Sequence, residues 1–133
     1  MLYVDTGALL ARYLRRDGHH RAAVRAWRLV EERRLRCCTS DFVLDETFTL
    51  LARRSSYAFA VERASNILSS AALVILRPGR EEELAALDLF RKFADQRVSF
   101  TDCVSFVLMR KHGIRRAFSF DRHFTDAGFD RWP

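Results

Sequence analysis

The sequence predicts an α/β fold, a central parallel sheet with helices on both faces, built by residues 1–133 as a single domain. Short β-branched or aromatic runs alternate with longer stretches whose apolar residues recur every three or four positions. The order reads β-α-α-β-α-α-β-α-α-β, and strands separated by that much helix pair in parallel under helices on both sides. With 5 Gly and 2 Pro in 133 residues, and no repeat or low-complexity tract, nothing marks a linker or a disordered tail.

Leu2-Tyr3-Val4 reads as a buried strand. Thr6 to Arg16 follows as a helix with Ala8, Leu9 and Tyr13 on one face, ended by Gly18. A second helix runs from about His20 to Arg34, with Ala23, Trp27 and Val30 at helical spacing. Leu35 to Thr39 is the next strand, and Ser40 is placed to cap a helix from Asp41 to Arg53. Tyr57 to Ala71 is helical again, and Leu73 to Leu76 is a β-branched strand. Pro78-Gly79 turns the chain into a helix from Arg80 to about Phe93. Ser99 or Thr101 caps the helix that ends at Gly113. Ala117 to Phe120 forms a strand, and Phe129 to Trp132 a short terminal one.

Composition narrows the function classes. The longest uninterrupted apolar run, Ala71 to Leu76, is far short of the roughly 20 residues of a membrane helix. Asp5 stands too near the start to leave room for a signal peptide, so a soluble cytoplasmic protein with no membrane role is expected. The neighbours Cys37 and Cys38 point to opposite faces of a strand, which suits buried thiols rather than a disulfide or a shared metal. Cys103 lies in a helix and reads the same way. The net charge is +6, and all 23 basic residues but Lys92 and Lys111 are arginine. Setting four clustered acids aside leaves 23 basic against 13 acidic groups, a balance that suits a protein gripping a polyanion around an acidic hole.

Those four acids are Asp5, Glu46, Asp102 and Asp121. Asp5 follows the first strand and Asp121 the strand at 117–120, so both emerge at the carboxyl edge, where open parallel sheets place their sites. Asp102 sits in the first turn of the helix leading into the Asp121 strand. Taken singly, each has a structural explanation as a loop residue or a helix-dipole partner. Glu46 lies between Phe42 and Leu50 on one helix face, where a carboxylate must be neutralised, paired or bound to a cation. Asp45 points away to solvent. Clustered carboxylates raise one another's pKa and need a counter-charge, which Mg²⁺ or Mn²⁺ supplies through oxygen ligands. Such a cation leaves positions for phosphate oxygens and a nucleophilic water, the arrangement for phosphodiester hydrolysis.

Four segments carry a family likeness: Leu2-Tyr3-Val4-Asp5-Thr6-Gly7-Ala8-Leu9-Leu10, Val43-Leu44-Asp45-Glu46-Thr47, Ser99-Phe100-Thr101-Asp102-Cys103 and Ser119-Phe120-Asp121-Arg122-His123-Phe124. In this order and at these separations they resemble the acidic motifs of PIN domains, and above all the VapC-like toxin ribonucleases of toxin–antitoxin modules. The resemblance implies a single PIN-like nuclease domain over residues 1–133. It implies a Mg²⁺- or Mn²⁺-dependent endoribonuclease acting on RNA, a homodimer, and a small cognate antitoxin partner. Asp5, Glu46, Asp102 and Asp121 become its catalytic and metal-binding quartet, with Asp121 the one able to act through water. Thr6 and Ser119 stand beside the acids as candidates for orienting bound water, and Arg12, Arg15 and Arg16 for lining the approach of RNA.

Other readings fit less well. Asp5-Thr6-Gly7 spells the tripeptide of aspartic proteases, but here it opens a helix in an α/β chain. A phosphoaspartate phosphatase would need a second Asp where Gly7 stands, and a catalytic Lys. His19, His20, His112 and His123 read as surface or capping residues, and Phe90, Phe93, Phe106 and Phe118 as core. The rival from another class is a non-catalytic PIN-like module that binds RNA or protein. The intact quartet favours the enzyme, since a binding module has little reason to keep four mutually repelling acids.

Overall fold

The computed structural model describes residues 1–133, with five strands in one sheet of order β3-β2-β1-β4-β5, every pair parallel. The strands are β1 (Leu2–Val4), β2 (Cys37–Ser40), β3 (Leu73–Leu76), β4 (Arg116–Phe118) and β5 (Asp130–Trp132). The helices are α1 (Thr6–Tyr13), α2 (His20–Glu32), α3 (Asp41–Arg54), α4 (Tyr57–Ser69), α5 (Arg80–Lys92), α6 (Phe100–Lys111) and the single turn α7 (His123–Asp126). From β1 the chain steps outward through β2 to β3, then crosses back to β4 on the other side. Right-handed crossovers therefore put α1 to α4 on one face, and α5 to α7 on the other. The order reverses between β1 and β4, and the crevice beyond their carboxyl ends is where such sheets hold ligands.

The core forms where these layers meet. Leu2, Tyr3 and Val4 are wholly buried, as a central strand covered on both faces requires. On one face, the Trp27 ring of α2 packs 5.1 Å from Phe118 of β4, and its indole N–H donates to the Ala8 carbonyl at 3.1 Å. On the other, Phe106 of α6 meets Phe124 and Phe129 at 5.0 and 5.7 Å. Cys37, Cys38 and Cys103 are buried free thiols, and burial pushes Cys38 up to about 12 and Cys103 to about 11, so neither forms thiolate readily. No helix is long and apolar enough to cross a membrane.

The strand and helix types expected from periodicity are those found, with boundaries that differ for local reasons. Helix α1 stops at Tyr13 rather than Arg16. The Ala11 carbonyl, which Arg15 N–H would take in a longer helix, accepts instead from His20 Nδ1 at 2.7 Å, and Asp17 folds the turn by accepting the His19 N–H at 2.8 Å. Strand β4 ends at Phe118 rather than Phe120, which frees Ser119 and Asp121 for the site described below. Phe90 is 43% exposed on α5, not core. The 3-10 turn Ala94–Gln96 and helix α7 have too few residues to show a period.

Two caps fix the helices that matter most for position. Ser99 caps α6 by accepting the Asp102 N–H at 3.1 Å, and Gly113 takes the left-handed φ of +65° that ends it. Ser40 caps α3 by accepting the Val43 N–H at 3.1 Å. Ser40→Ala should cost about 1 kcal/mol, read as a lower denaturant midpoint at unchanged m-value.

Candidate active site and its acidic cleft

Asp5 ends β1 and opens α1, so one residue serves both the sheet and the site. Its backbone N–H donates to the Phe118 carbonyl at 3.1 Å, which continues the ladder to β4. Its side chain caps α1, accepting the Thr6 N–H at 2.7 Å. The second carboxylate oxygen accepts from Ser119 Oγ at 2.9 Å, and Ser119 Oγ in turn accepts the Asp121 N–H at 3.0 Å. One buried hydroxyl thus ties the end of β1 to the loop after β4.

Asp5, Glu46, Asp102 and Asp121 all line one open cleft of about 720 Å³ at the carboxyl edge of the sheet. Glu46 reaches it from α3 and Asp102 from the first turn of α6. The expected stripe on α3 needs a correction of detail. Val43, Leu44, Thr47 and Leu51 form its buried face, while Phe42, Glu46 and Leu50 are half-buried, with Glu46 and Leu50 lining the cleft. Asp45 is exposed and lies outside the cleft.

Crowding and burial act together on these acids. Burial, then the charges of Asp121 and Glu46, push the Asp5 carboxyl up to about 6, although the bonds from Ser119 and Thr6 pull it down. Burial raises Asp102 to about 8, reinforced by Asp5, Asp121 and Glu46. Carboxyls raised this far by burial and mutual repulsion would be lowered again by a bound cation, so the cluster favours one. Thr6 Oγ1, on the cleft wall, is buried with no hydrogen-bond partner. An orphaned hydroxyl beside crowded acids fits a site that receives a hydrated cation.

Sequence reasoning missed His123. One oxygen from each of Asp102 and Asp121 and a ring nitrogen of His123 lie within 4.8 Å of one another, a ligand set able to hold a metal ion. His123 Nδ1 stands 3.1 Å from Asp121 Oδ1, and its backbone N–H donates to that same oxygen at 2.9 Å. The signal was its place two residues beyond Asp121, where a one-turn helix folds the ring back over the carboxylate. His19 also has a contact not foreseen, stacking on Phe120 at 4.4 Å with the rings 4° from parallel. Arg12 does not line the acidic cleft. Its guanidinium lies 4.5 Å over Trp27 and 3.5 Å from Glu31, on another groove.

Comparison with known proteins adds to this geometry. Residues 2–130 match the family model of the PIN domain. Over 129 residues the chain is 38% identical to the 23S rRNA-specific endonuclease VapC20 of Mycobacterium tuberculosis, from either of two strains, spanning 97% of this chain and 95% of the relative. The crystal structure of Mycobacterium tuberculosis VapC20, described as a Sarcin-Ricin loop cleaving toxin, superposes with a TM-score of 0.87 at 33% identity. That match covers 97% of this chain and 96% of the other.

Proposed function

The chain belongs to the PIN domain family, and from that premise we propose that it is a divalent-metal-dependent endoribonuclease, the toxin of a VapBC-type toxin–antitoxin pair. The observation that carries this reading is the convergence of Asp5, Glu46, Asp102 and Asp121 on one open cleft in a protein of net charge +6. These four acids, with His123 beside Asp121, would hold Mg²⁺ or Mn²⁺. When bound, such a cation supplies Lewis acidity toward a phosphate oxygen and lowers the pKa of water. Ser119 keeps Asp5 and Asp121 in register, and Thr6 Oγ1 offers a hydrogen bond to a hydration water.

The substrate we assign is 23S ribosomal RNA at the sarcin–ricin loop, by similarity to the relative whose name states that target. The partners are a small antitoxin and a second copy of the chain. Exposed Tyr57, Val61 and Leu68 on α4, and Leu84 and Phe90 on α5, offer apolar surface for them. The three unpaired buried thiols suit the reducing cytoplasm.

The test is direct. Purified protein with Mg²⁺ or Mn²⁺ should cut ribosomes or naked 23S RNA at a discrete site, mapped by primer extension, and EDTA should abolish the cut. The products should carry a 5′-phosphate and a 3′-hydroxyl. Products bearing 2′,3′-cyclic phosphates would sink the metal-assisted hydrolysis, since the RNA 2′-hydroxyl would then be the nucleophile.

A further inference from the structure

The acidic cleft and a second, basic pocket lie at two levels of the same pair of packed helices, α1 and α3. Glu46, Leu50 and Arg54 are spaced four apart on α3, as are Thr6, Leu10 and Leu14 on α1 and the residue that caps it. Residues four apart share a helix face, one turn or about 5.4 Å along the axis. Leu10 and Leu50 line the acidic cleft, while Leu14 and Arg54 line a pocket of about 360 Å³ with Arg15 and Arg16. The two packed helices therefore carry a strip of residues that runs from carboxylates through leucines, of which Leu10 is buried and Leu50 half-buried, to arginines. From Glu46 to Arg54 it covers about 12 Å along the helix axis.

The three arginines are exposed, and none forms an ion pair with any acid. Asp17, the one carboxylate on that wall, accepts the His19 N–H instead. A helix C-terminus favours a nearby cation, which accounts for Arg54 at the end of α3. The end of α1 favours Arg15 and Arg16 in the same way, but neither helix end explains why all three line one pocket. Guanidinium groups recognise phosphate through planar, paired donors, and three of them on one pocket outnumber its single acid.

We propose that Arg15, Arg16 and Arg54 form a phosphate-binding subsite that holds the RNA backbone two helical turns from the carboxylates, with the intervening nucleotide against half-buried Leu50. This rests on the nuclease reading for its ligand. Its consequence is that the protein grips RNA at a distance from the reacting phosphate, so substrate length governs affinity.

The experiment compares wild type with Arg15→Gln/Arg16→Gln/Arg54→Gln. Binding of a fluorescein-labelled single-stranded RNA is read by anisotropy in EDTA, so no cleavage is needed. Each lost contact should lower the magnitude of the slope of log K against log salt by about 0.7, and three by about 2. With Mg²⁺, KM for a long RNA should rise about 10-fold or more, with kcat within about 2-fold and the melting temperature nearly unchanged. Against a ladder of shorter oligoribonucleotides the difference should vanish once the RNA no longer reaches the pocket. Unchanged affinity and salt slope overturn the subsite, as does a KM penalty that is the same at every length. If wild type cuts no RNA while the triple variant still loses affinity and slope, the subsite stands and the nuclease reading falls.

Discussion

Glu46→Gln is expected to lower RNA cleavage by on the order of 100-fold or more, while the neighbouring Asp45→Asn leaves it within about 2-fold. Both changes remove one charge from α3 and keep the side chain's shape, so the contrast isolates where each carboxylate points. Glu46 lines the cleft and adds to the potential that raises Asp5 and Asp102. Asp45 is exposed, about 100° around the helix, and its substitution should change stability by no more than about 0.5 kcal/mol. Cleavage rates of the two purified variants, with circular dichroism to check folding, decide the matter. Equal loss in both would point to a disturbed α3, and loss only with Asp45→Asn would mean the cleft is not the reacting site.

That contrast was legible in the sequence because helical periodicity fixes direction. Asp5 was legible for another reason: a buried three-residue strand leaves only one place for the next residue to emerge. Ser119 and Asp121 follow from the same rule at β4. Helical phase on α3 turned Glu46 toward the side where the cleft lies but was too generous in burying it, since the cleft opens the apolar stripe at Leu50. His123 escaped because its position depends on a one-turn helix that no periodic pattern announces. Arg12 was misjudged because an arginine next to a tryptophan in space need not be next to it in sequence. Trp27 lies on another helix, and only the α1–α2 packing brings it beneath the guanidinium. Local chemistry thus set the elements and the acids. The partners chosen by long, flexible side chains depended on tertiary packing.

The four acids also carry a cost that the cation should remove. Burial and mutual repulsion raise Asp5 to about 6 and Asp102 to about 8 from a usual value of 3.8. A carboxyl raised by folding holds its proton more tightly in the folded state. The stability this contributes is complete below the unfolded value, near 4, and is lost as pH rises through the folded values. In EDTA, wild type should therefore lose stability between about pH 4 and pH 8. Between pH 5 and pH 8 its melting temperature should fall by roughly 5–10 °C more than that of Asp102→Asn, which lacks the ionising group. Mg²⁺ should restore wild type at pH 8 by binding only the folded state, and should do little at pH 5, where protons hold the site. Asp5→Asn should likewise be at least as stable as wild type without metal, gain less from Mg²⁺ and cleave no RNA. Parallel pH profiles for wild type and Asp102→Asn would show that the cluster is not strained. An equal Mg²⁺ shift in wild type and both variants would place the cation elsewhere, and the cleft would lose its claim to be the metal site.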